Sequence, residues 1–366
     1  MTTKTSAADR NAKRTNRKRL YIAPKDVLES HNCSVVMDNE NDAEGEACGI
    51  GIKSHGRDFV ITSHAGDTIA NGGELEEWTD SFVEKAKRKL CLPEIVFSKS
   101  HVTLSEGTNP IFQYTARDAL KEWASCHEHL QDKDEVKGVS IMKTADAALW
   151  ATKNRTTTSD SDDNQKPQDQ AELNYDWTFS TPYVGTTTTS TSKETMETDD
   201  MTTQQHMWDK QSQSGLSWST LRDKNQPILF FDEVCLYEDD LHDNGCTSCT
   251  VKLRVMPSCL FILYQLRVRV DRVIMRTREI RHFIKFDNKA TEQLPVSIYR
   301  DVTWRESPWD QLSNRNIQSW RWEDSASFYD EDAIEKEQQL QRLLQQLPTV
   351  KPPEDIAPHA CLHLTV

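Results

Sequence analysis

Residues 251–271 read VKLRVMPSCLFILYQLRVRVD, and their alternation decides the fold class. In the first half, valine and leucine alternate with lysine and arginine. In the second half, leucine and valine alternate with Arg267 and Arg269. A period of two places successive side chains on opposite faces of a β-strand. We therefore expect antiparallel strands with an apolar inner face and a solvated outer face that carries these arginines, and Asp271 and Arg272 are predicted to form a two-residue turn.

Other stretches predict further strands and two helices. Residues 102–107 and 111–116 are β-prone and flank a Gly-Thr-Asn turn, which predicts a hairpin. Residues 117–130 predict a helix, and so do residues 74–92, where large apolar residues and alanine recur every four positions before Pro93. The chain therefore combines a mainly antiparallel β core with helices.

Composition limits the classes of function. The 366 residues carry a formal charge of −14 and only 36% are hydrophobic. The acidic balance disfavours nucleic acid as a partner, since phosphates would be repelled. Nine scattered cysteines indicate reduced thiols in the cytoplasm, with the nucleus as an alternative, and no apolar run or leader predicts a membrane span or secretion.

The polar segments suggest how the chain is organised. Residues 1–48 are predicted to be a disordered tail. Its basic cluster near residues 13–19 fits a solvated tail, with a nuclear import signal or a mitochondrial presequence as alternatives. A single domain is predicted over residues 49–310, because the aromatic and apolar segments concentrate there.

Two insertions and an extension complete this organisation. Residues near 153–172 and 185–205 are rich in Thr, Ser and Asp, so they bury too little apolar surface to order, and the stretch between them looks strand-like. Residues 311–366 form a C-terminal extension with an amphipathic helix near 330–347. That helix is expected either to pack on the body or to be offered to a partner.

The stretch 230–245, FFDEVCLYEDDLHDNG, is the main candidate for chemistry. Its six carboxylates and His242 could hold a hard cation, which would make the chain a metal-dependent hydrolase. However, the stretch lacks the ligand register of a calcium loop, and the acids are also typical of a strand end and a solvated turn. A bulge is expected near Asp232 and Glu233, where the apolar alternation breaks.

The remaining motifs do not predict catalysis. Cys246 and Cys249 form a lone C-x-x-C without the second pair that structural zinc needs. Neither a nucleophile elbow, nor a phosphate-binding loop, nor a dinucleotide fingerprint occurs. The sequence thus predicts no cofactor and favours binding over enzymatic turnover.

Several of these stretches resemble a known family. NYDWTFSTPYVGT at 174–186, the acidic stretch at 230–245, the hairpin at 251–271 and DVTWRES at 301–307 are similar to the TIPRL family, the TOR signalling pathway regulator-like proteins. Their order and spacing also match, over about residues 49–310.

The resemblance implies a fold and a partner. It implies a sandwich-like core of two packed antiparallel sheets with flanking helices. Together with the long disordered insertions, which it does not cover, this gives an α+β fold class. It implies a non-catalytic regulator that binds the catalytic subunit of type 2A-like serine/threonine phosphatases, in TOR signalling, and that modulates or inhibits it. The phosphatase's carboxy-terminal tail is then expected in a cleft of the regulator.

The resemblance also implies partner-binding positions. The Asp of the family's DAL motif matches Asp118, and an apolar position before the FF strand falls at Leu216. A Met and an Asp position after the hairpin fall on Thr277 and Glu279, so the first of these departs from the family pattern. An aromatic family position is Cys126 here, another departure.

Alternating arginines along the hairpin could bind the carboxylate at the end of the phosphatase tail. Arg267, Arg269, Arg276 and Arg278 alternate along the hairpin, and guanidinium forks suit carboxylates. We hypothesise that Arg276 and Arg278 bind the partner. An ordinary solvated face is the alternative.

Overall fold

The computed structural model describes most of the predicted domain and parts of both flanking regions. The described residues are 17–37, 47–54, 56–65, 93–128, 179–181, 183–187, 208–211, 223, 225–241, 245–286, 297–312, 331–349 and 359–364.

Strands dominate the described residues. In chain order they are β1 (Arg17–Ile22), β2 (Cys33–Met37), β3 (Ala47–Ser54), β4 (Arg57–His64), β5 (Ile95–Val96), β6 (His101–Glu106), β7 (Asn109–Thr115), β8 (Thr186–Thr187), β9 (Trp208–Gln211), β10 (Phe230–Asp239), β11 (Gly245–Met256), β12 (Cys259–Val270), β13 (Ile274–Lys285), β14 (Ser297–Pro308) and β15 (His359–Leu364). The helices are α1 (Lys25–Ser30), α2 (Ala116–Glu128) and α3 (Glu331–Leu344), with a short 3₁₀ turn at Trp309–Gln311.

These strands form two antiparallel sheets. Sheet A has the order β1-β10-β11-β12-β13-β14-β15-β9, and β5 pairs with the end of β10. Sheet B has the order β2-β3-β4-β6-β7-β8. Three hairpins, from β10 to β13, supply the long central strands of sheet A. The predicted two-layer α+β fold is confirmed.

The two sheets pack face to face, and we call the face of sheet A that meets sheet B its inner face. Tyr114 of β7 stacks on Tyr264 of β12 with ring centroids 5.1 Å apart. Phe112 lies 4.6 Å from His282, and Phe59 lies 5.1 Å from Phe286. These aromatic contacts bury large apolar areas and fix how the layers align.

Helices α2 and α3 pack against parts of the fold that sheet B does not cover. Helix α2 follows β7, and its buried residues Ala119, Leu120 and Trp123 join the main core. Helix α3 packs on the opposite, outer face of sheet A through Leu340 and Leu344. Of the two alternatives left open by the sequence, this is the helix that packs on the body. Among the described residues, no helix is long and apolar enough to cross a membrane.

The structure departs from the expected disordered tail. Residues 17–37 form β1, α1 and β2, and β1 pairs with β10 at the edge of sheet A. Arg19, part of the basic cluster, lies 3.8 Å from the buried carboxylate of Glu233. The polar composition of residues 17–22 gave no sign of strand β1. An edge strand is stabilised by backbone pairing with its neighbour and needs no run of apolar residues.

Three local predictions are also corrected. The turn after β12 has three residues, because Val270 pairs with Ile274, and Arg272 adopts a positive φ of 63°. The bulge in β10 falls between Cys235 and Tyr237, beyond the expected position. The aromatic stretch near 173–185 is not a strand in residues 179–181 and 183–185; β8 instead begins at Thr186, inside the predicted second insertion.

The remaining expectations are either confirmed or concern residues outside the described part of the chain. The hairpin of β6 and β7 and the helix α2 are confirmed. The predicted helix at 74–92 lies outside the described residues, as does most of both insertions. The predicted domain boundaries stay predictions.

Candidate partner-binding surfaces

The described residues that were predicted to bind the partner lie in three places: the inner face of β13, the outer face of β13 and the first turn of α2. Directly paired residues of antiparallel strands point to the same side of a sheet. Arg278 pairs with Leu266 and therefore lies on the inner face. Thr277 pairs with Arg267, and Glu279 pairs with Gln265, so both lie on the outer face.

Asp118 fastens the start of α2 to the neighbouring strands. Its backbone N–H donates to Thr115 Oγ1 over 2.9 Å, so Thr115 caps the helix. Its carboxylate Oδ2 accepts hydrogen bonds from Gln113 Nε2 (3.3 Å) and Thr186 Oγ1 (3.2 Å). The side chain is half-buried, so one side remains open to solvent.

Residues 179–181 and 183–187, which we call the strap, cross the inner side next to Asp118. The Tyr183 hydroxyl donates to the Gln113 carbonyl (3.3 Å) and accepts from the Thr115 amide (3.4 Å). The Tyr237 hydroxyl donates to the Phe179 carbonyl over 2.8 Å. At Gly185 a Cβ would lie 2.5 Å from the Phe112 ring, so only glycine fits this close approach.

The inner face buries Arg278 among aromatic rings. Its guanidinium lies 4.9 Å from the centroid of the Trp304 ring, and the residue is 0% exposed. Burial lowers the pKa of Arg278 and raises the pKa values of Tyr114 and Tyr264 above their ordinary range. Cation–π contact with an aromatic face partly offsets the loss of water around a guanidinium.

Arg276 is an ion-paired residue on the same face. Its Nε and Nη2 lie 2.8 Å and 2.7 Å from Glu306 Oε2. Its Nη1 lies 3.5 Å from Ser180 Oγ of the strap. The predicted receptor arginines thus lie beneath the strap and α2, and neither is exposed.

The expectation of a solvated arginine face is wrong. Arg267 and Arg269 do point outward, but both are buried, and Arg269 Nε lies 2.7 Å from Asp271 Oδ1. Because the four arginines divide between opposite faces, one carboxylate could meet only one pair. Alternation predicted the outward direction of Arg267 and Arg269 correctly. The turn has three residues and not two, so Arg276 and Arg278 lie on the other face. Alternation also carries no information about what covers a face.

The outer face carries the other predicted positions beneath α3. Glu279 accepts a hydrogen bond from Gln265 Nε2 over 2.8 Å and is paired with Arg281. Gln265 also exchanges hydrogen bonds of 3.2 Å with Gln341 of α3. Thr277 lies between this contact and the leucines of α3 that pack on Met275, and it is 1% exposed.

The acidic stretch is a set of buried structural links and not a solvated turn. Asp232 accepts a 2.5 Å hydrogen bond from Ser63 and so joins the two sheets. Glu233 pairs with Lys252 over 3.0 Å on the outer face. Asp239 accepts hydrogen bonds from the backbone of Glu94 (2.7 Å) and Leu241. The burial of each carboxylate is compensated by its own donor or cation, and the three carboxylates have no partner in common.

The structure gives no support to a metal centre within the described residues. There, no group of three or more His, Cys, Asp or Glu side chains is placed to hold a metal ion. His242 and Asp243 lie outside the described residues, as does Leu216. The side chain of Cys126 also falls outside them.

The C-x-x-C pair is divided by the sheet. Cys249 faces the inner core, where burial raises the pKa of its thiol to about 12. Cys246 lies with Met275 on the outer face. A separation of three residues in a strand puts two side chains on opposite faces, so one metal cannot bind both.

Sequence reasoning missed the residues that hold these surfaces together. Glu306, Ser180 and Gln341 come from segments distant along the chain. Glu306 and Ser180 lie in stretches that carry the family resemblance, but nothing in those stretches marked them as contacts of Arg276. Only Glu306 had a usable signal, since a buried arginine on β13 requires an acid at the paired position of a neighbouring strand.

The comparison with protein families now completes the description. Residues 95–313 match the TIP41-like family, and this segment contains the strap, β10 to β14 and every partner-binding position predicted from the sequence.

The chain belongs to the TIP41-like family.

Curated relatives show how widely this TIP41-like chain is matched. A TIP41-like protein of Arabidopsis thaliana is 31% identical over 318 residues, which covers 84% of this chain and 92% of the relative. A TIP41-like protein of Homo sapiens is 29% identical over 260 residues, covering 70% and 79%. The type 2A phosphatase activator TIP41 of Saccharomyces cerevisiae is 31% identical over 240 residues, covering 64% and 58%.

Proposed function

We propose that this TIP41-like chain is a non-catalytic regulator that binds the catalytic subunit of type 2A-like serine/threonine phosphatases and changes its activity. Membership of the TIP41-like family carries the proposal, together with the Saccharomyces cerevisiae relative, which is named a type 2A phosphatase activator. The proposal places the chain in TOR signalling and in the cytoplasm, with the nucleus as the alternative site.

The geometry of the described residues supports binding better than catalysis. Asp232 and Asp239 of the 230–245 stretch have separate structural partners, while Arg278 lies over Trp304 and Arg276 is paired with Glu306. Asp118 instead offers a half-exposed acid at a helix start beside the strap. We propose that the phosphatase's extended carboxy-terminal tail docks through such edges and grooves, as extended peptides commonly do.

The first experiment measures the complex directly. Purified chain is titrated with a type 2A catalytic subunit, intact or lacking its last residues, by calorimetry. We expect a stoichiometric complex with the intact subunit and weaker binding to the truncated one. Failure to bind any type 2A catalytic subunit would overturn the proposal.

A matched pair of variants tests the role of Asp118. We expect Asp118→Asn to weaken binding about tenfold, or ~1.4 kcal/mol, because a charged contact is lost. Asp26→Asn makes the same change in the first turn of α1, where the residue is exposed, and should bind as the unchanged chain does. Equal affinities for the two variants would remove Asp118 from the interface.

Activity assays decide the direction of regulation. The family resemblance implies modulation or inhibition, whereas the Saccharomyces cerevisiae relative is named a type 2A phosphatase activator. Phosphatase turnover on a phosphopeptide is measured with increasing amounts of the chain. The chain alone should show no hydrolysis, and stoichiometric metal together with unaided turnover would favour an enzyme.

A further inference from the structure

The outer face of sheet A carries a polar surface next to helix α3. We call this surface the outer platform and define it by Gln265, Arg267, Thr277 and Glu279. Its side chains are polar or charged, yet all four are buried. Only its margin, at Cys246 and Met275, is apolar.

Helix α3 and the residues after it contact this surface at the apolar margin and at Gln265. Leu340, Leu344 and Leu347 form one stripe and are buried against Cys246, Met275 and Leu312. Over the platform itself, Gln341 and Gln265 exchange a pair of hydrogen bonds.

The fit between α3 and the platform is incomplete. The hydroxyl of Thr277 is buried and, among the described residues, finds no hydrogen-bond partner. A buried polar group without a partner costs free energy, because it has given up water. A segment that supplied a donor or acceptor to Thr277 would therefore suit this surface better than α3 does.

Helix α3 is attached to the sheet beyond its C-terminal end. The Glu306 amide donates to the Pro348 carbonyl over 3.0 Å, and Arg305 Nη1 donates to the Leu347 carbonyl over 3.0 Å. Arg305 and Thr349 also form an isolated β-bridge. These contacts can persist if the helix leaves the platform. Helix α3 also lies after residue 313, where the TIP41-like match ends.

We propose that α3 is a displaceable cover of the outer platform, and that a second extended segment of the phosphatase catalytic subunit, distinct from the tail, replaces it there. The inference rests on the proposed function, since Thr277 and Glu279 are the partner positions that the resemblance implies. A tethered helix competes at high effective concentration, so the chain binds its partner less tightly than an uncovered platform would.

The replacing segment has a defined chemistry. It brings an aliphatic or aromatic side chain to the Cys246 and Met275 margin, where the leucines of α3 now pack. It presents backbone or hydroxyl hydrogen-bonding groups to Thr277 and Gln265. An extended peptide can meet both needs, because alternate residues and its backbone face the platform together.

The first test loosens α3 without touching the platform. The double variant Leu340→Asp, Leu344→Asp is titrated with a type 2A catalytic subunit. The matched control is Gln338→Asp, Gln339→Asp, which adds the same charges at exposed positions of the same helix. We expect about tenfold tighter binding by the leucine variant and unchanged binding by the control, since the competing helix is released.

Hydrogen exchange on the unchanged chain gives a second measure that does not depend on any variant. On addition of the catalytic subunit, amides of residues 331–344 should exchange faster, while those of β12 and β13 should exchange more slowly. Equal or greater protection of α3 in the complex would overturn the inference, and so would weaker binding by a folded leucine variant.

The outcomes separate this inference from the proposed function. If the chain, the leucine variant and the control all fail to bind a catalytic subunit, the proposed function fails and this inference fails with it. If all three bind with equal affinity, regulator function stands and only the displaceable cover is rejected.

Discussion

The two faces of β13 bury polar side chains in different ways. On the inner face, Arg276 is paired with Glu306 and Arg278 lies over Trp304, beneath the strap, α2 and sheet B. On the outer face, Thr277 and Glu279 lie beneath α3. Both faces are buried, yet among the described residues the first is closed by a whole layer of the fold and the second by α3 and the residues around Leu312 and Leu347.

This difference shows that the buried fraction of a side chain does not by itself tell whether the residue belongs to the permanent core or to a surface that can be uncovered. Inner-face side chains are held by aromatic contacts from β7 and the strap, so exposing them requires separation of the two sheets. Outer-face side chains become exposed when one amphipathic helix moves. Elements with few packed side chains open at lower free energy than a core does.

The largest expected contrast comes from neighbouring residues on the two faces of β12. Tyr264→Ala should lower the free energy of unfolding by about 3–5 kcal/mol, because its ring is fully buried against Tyr114 and Tyr183. Leu263→Ala, on the partly exposed outer side, should cost about 1–2 kcal/mol. Urea denaturation measures both. An equal loss at the two positions would break the comparison.

A smaller contrast concerns hydrogen bonds that join the layers. A double-mutant cycle of Ser63→Ala and Asp232→Ala should show a coupling of about 1.5–3 kcal/mol, because this buried bond involves a carboxylate. The matching cycle of Gln265→Ala and Gln341→Ala, across the outer platform, should show about 1 kcal/mol or less for a neutral pair. A stronger outer coupling would make α3 part of the permanent core.

The smallest effect depends on pH and on His282. Burial, reinforced by Arg300, lowers the pKa of this inner-face imidazole well below its ordinary value. The unfolded chain therefore binds more protons below pH ~6.5, and stability present above that pH is lost as the pH falls. His282→Gln should remove up to about 1.4 kcal/mol of this loss per pH unit.

Denaturation at pH 8 provides the reference for that experiment. There the imidazole is neutral in both states, so the difference between the two proteins reports packing alone. Parallel stability curves for His282→Gln and the unchanged chain, from pH 8 down to pH 5, would show that His282 is not buried as described.

Several parts of this protein could be predicted from local pattern. Alternation gave the strands around residues 251–271 and the inward direction of Leu266, Val268 and Val270, which the structure confirms. Helical spacing gave α2 and the leucine stripe of α3. These features repeat along the chain, so they can be read without knowledge of neighbours.

Other parts depended on residues far apart in the sequence. The burial of Asp232 by Ser63, of Arg276 by Glu306 and of Thr277 beneath α3 involves partners from separate elements. Strand β1 was not predicted for the same reason, since it is held in place by pairing with β10. No local pattern contains this information.

The sequence by itself determined the antiparallel strands, the side to which the residues of β12 point, and the resemblance to a regulator family. Tertiary structure alone decided that both faces of sheet A are covered, that the four arginines are separated, and that α3 lies over two predicted partner positions. The physical reason is that a strand's period fixes the direction of a side chain, whereas burial depends on which distant segment packs against it.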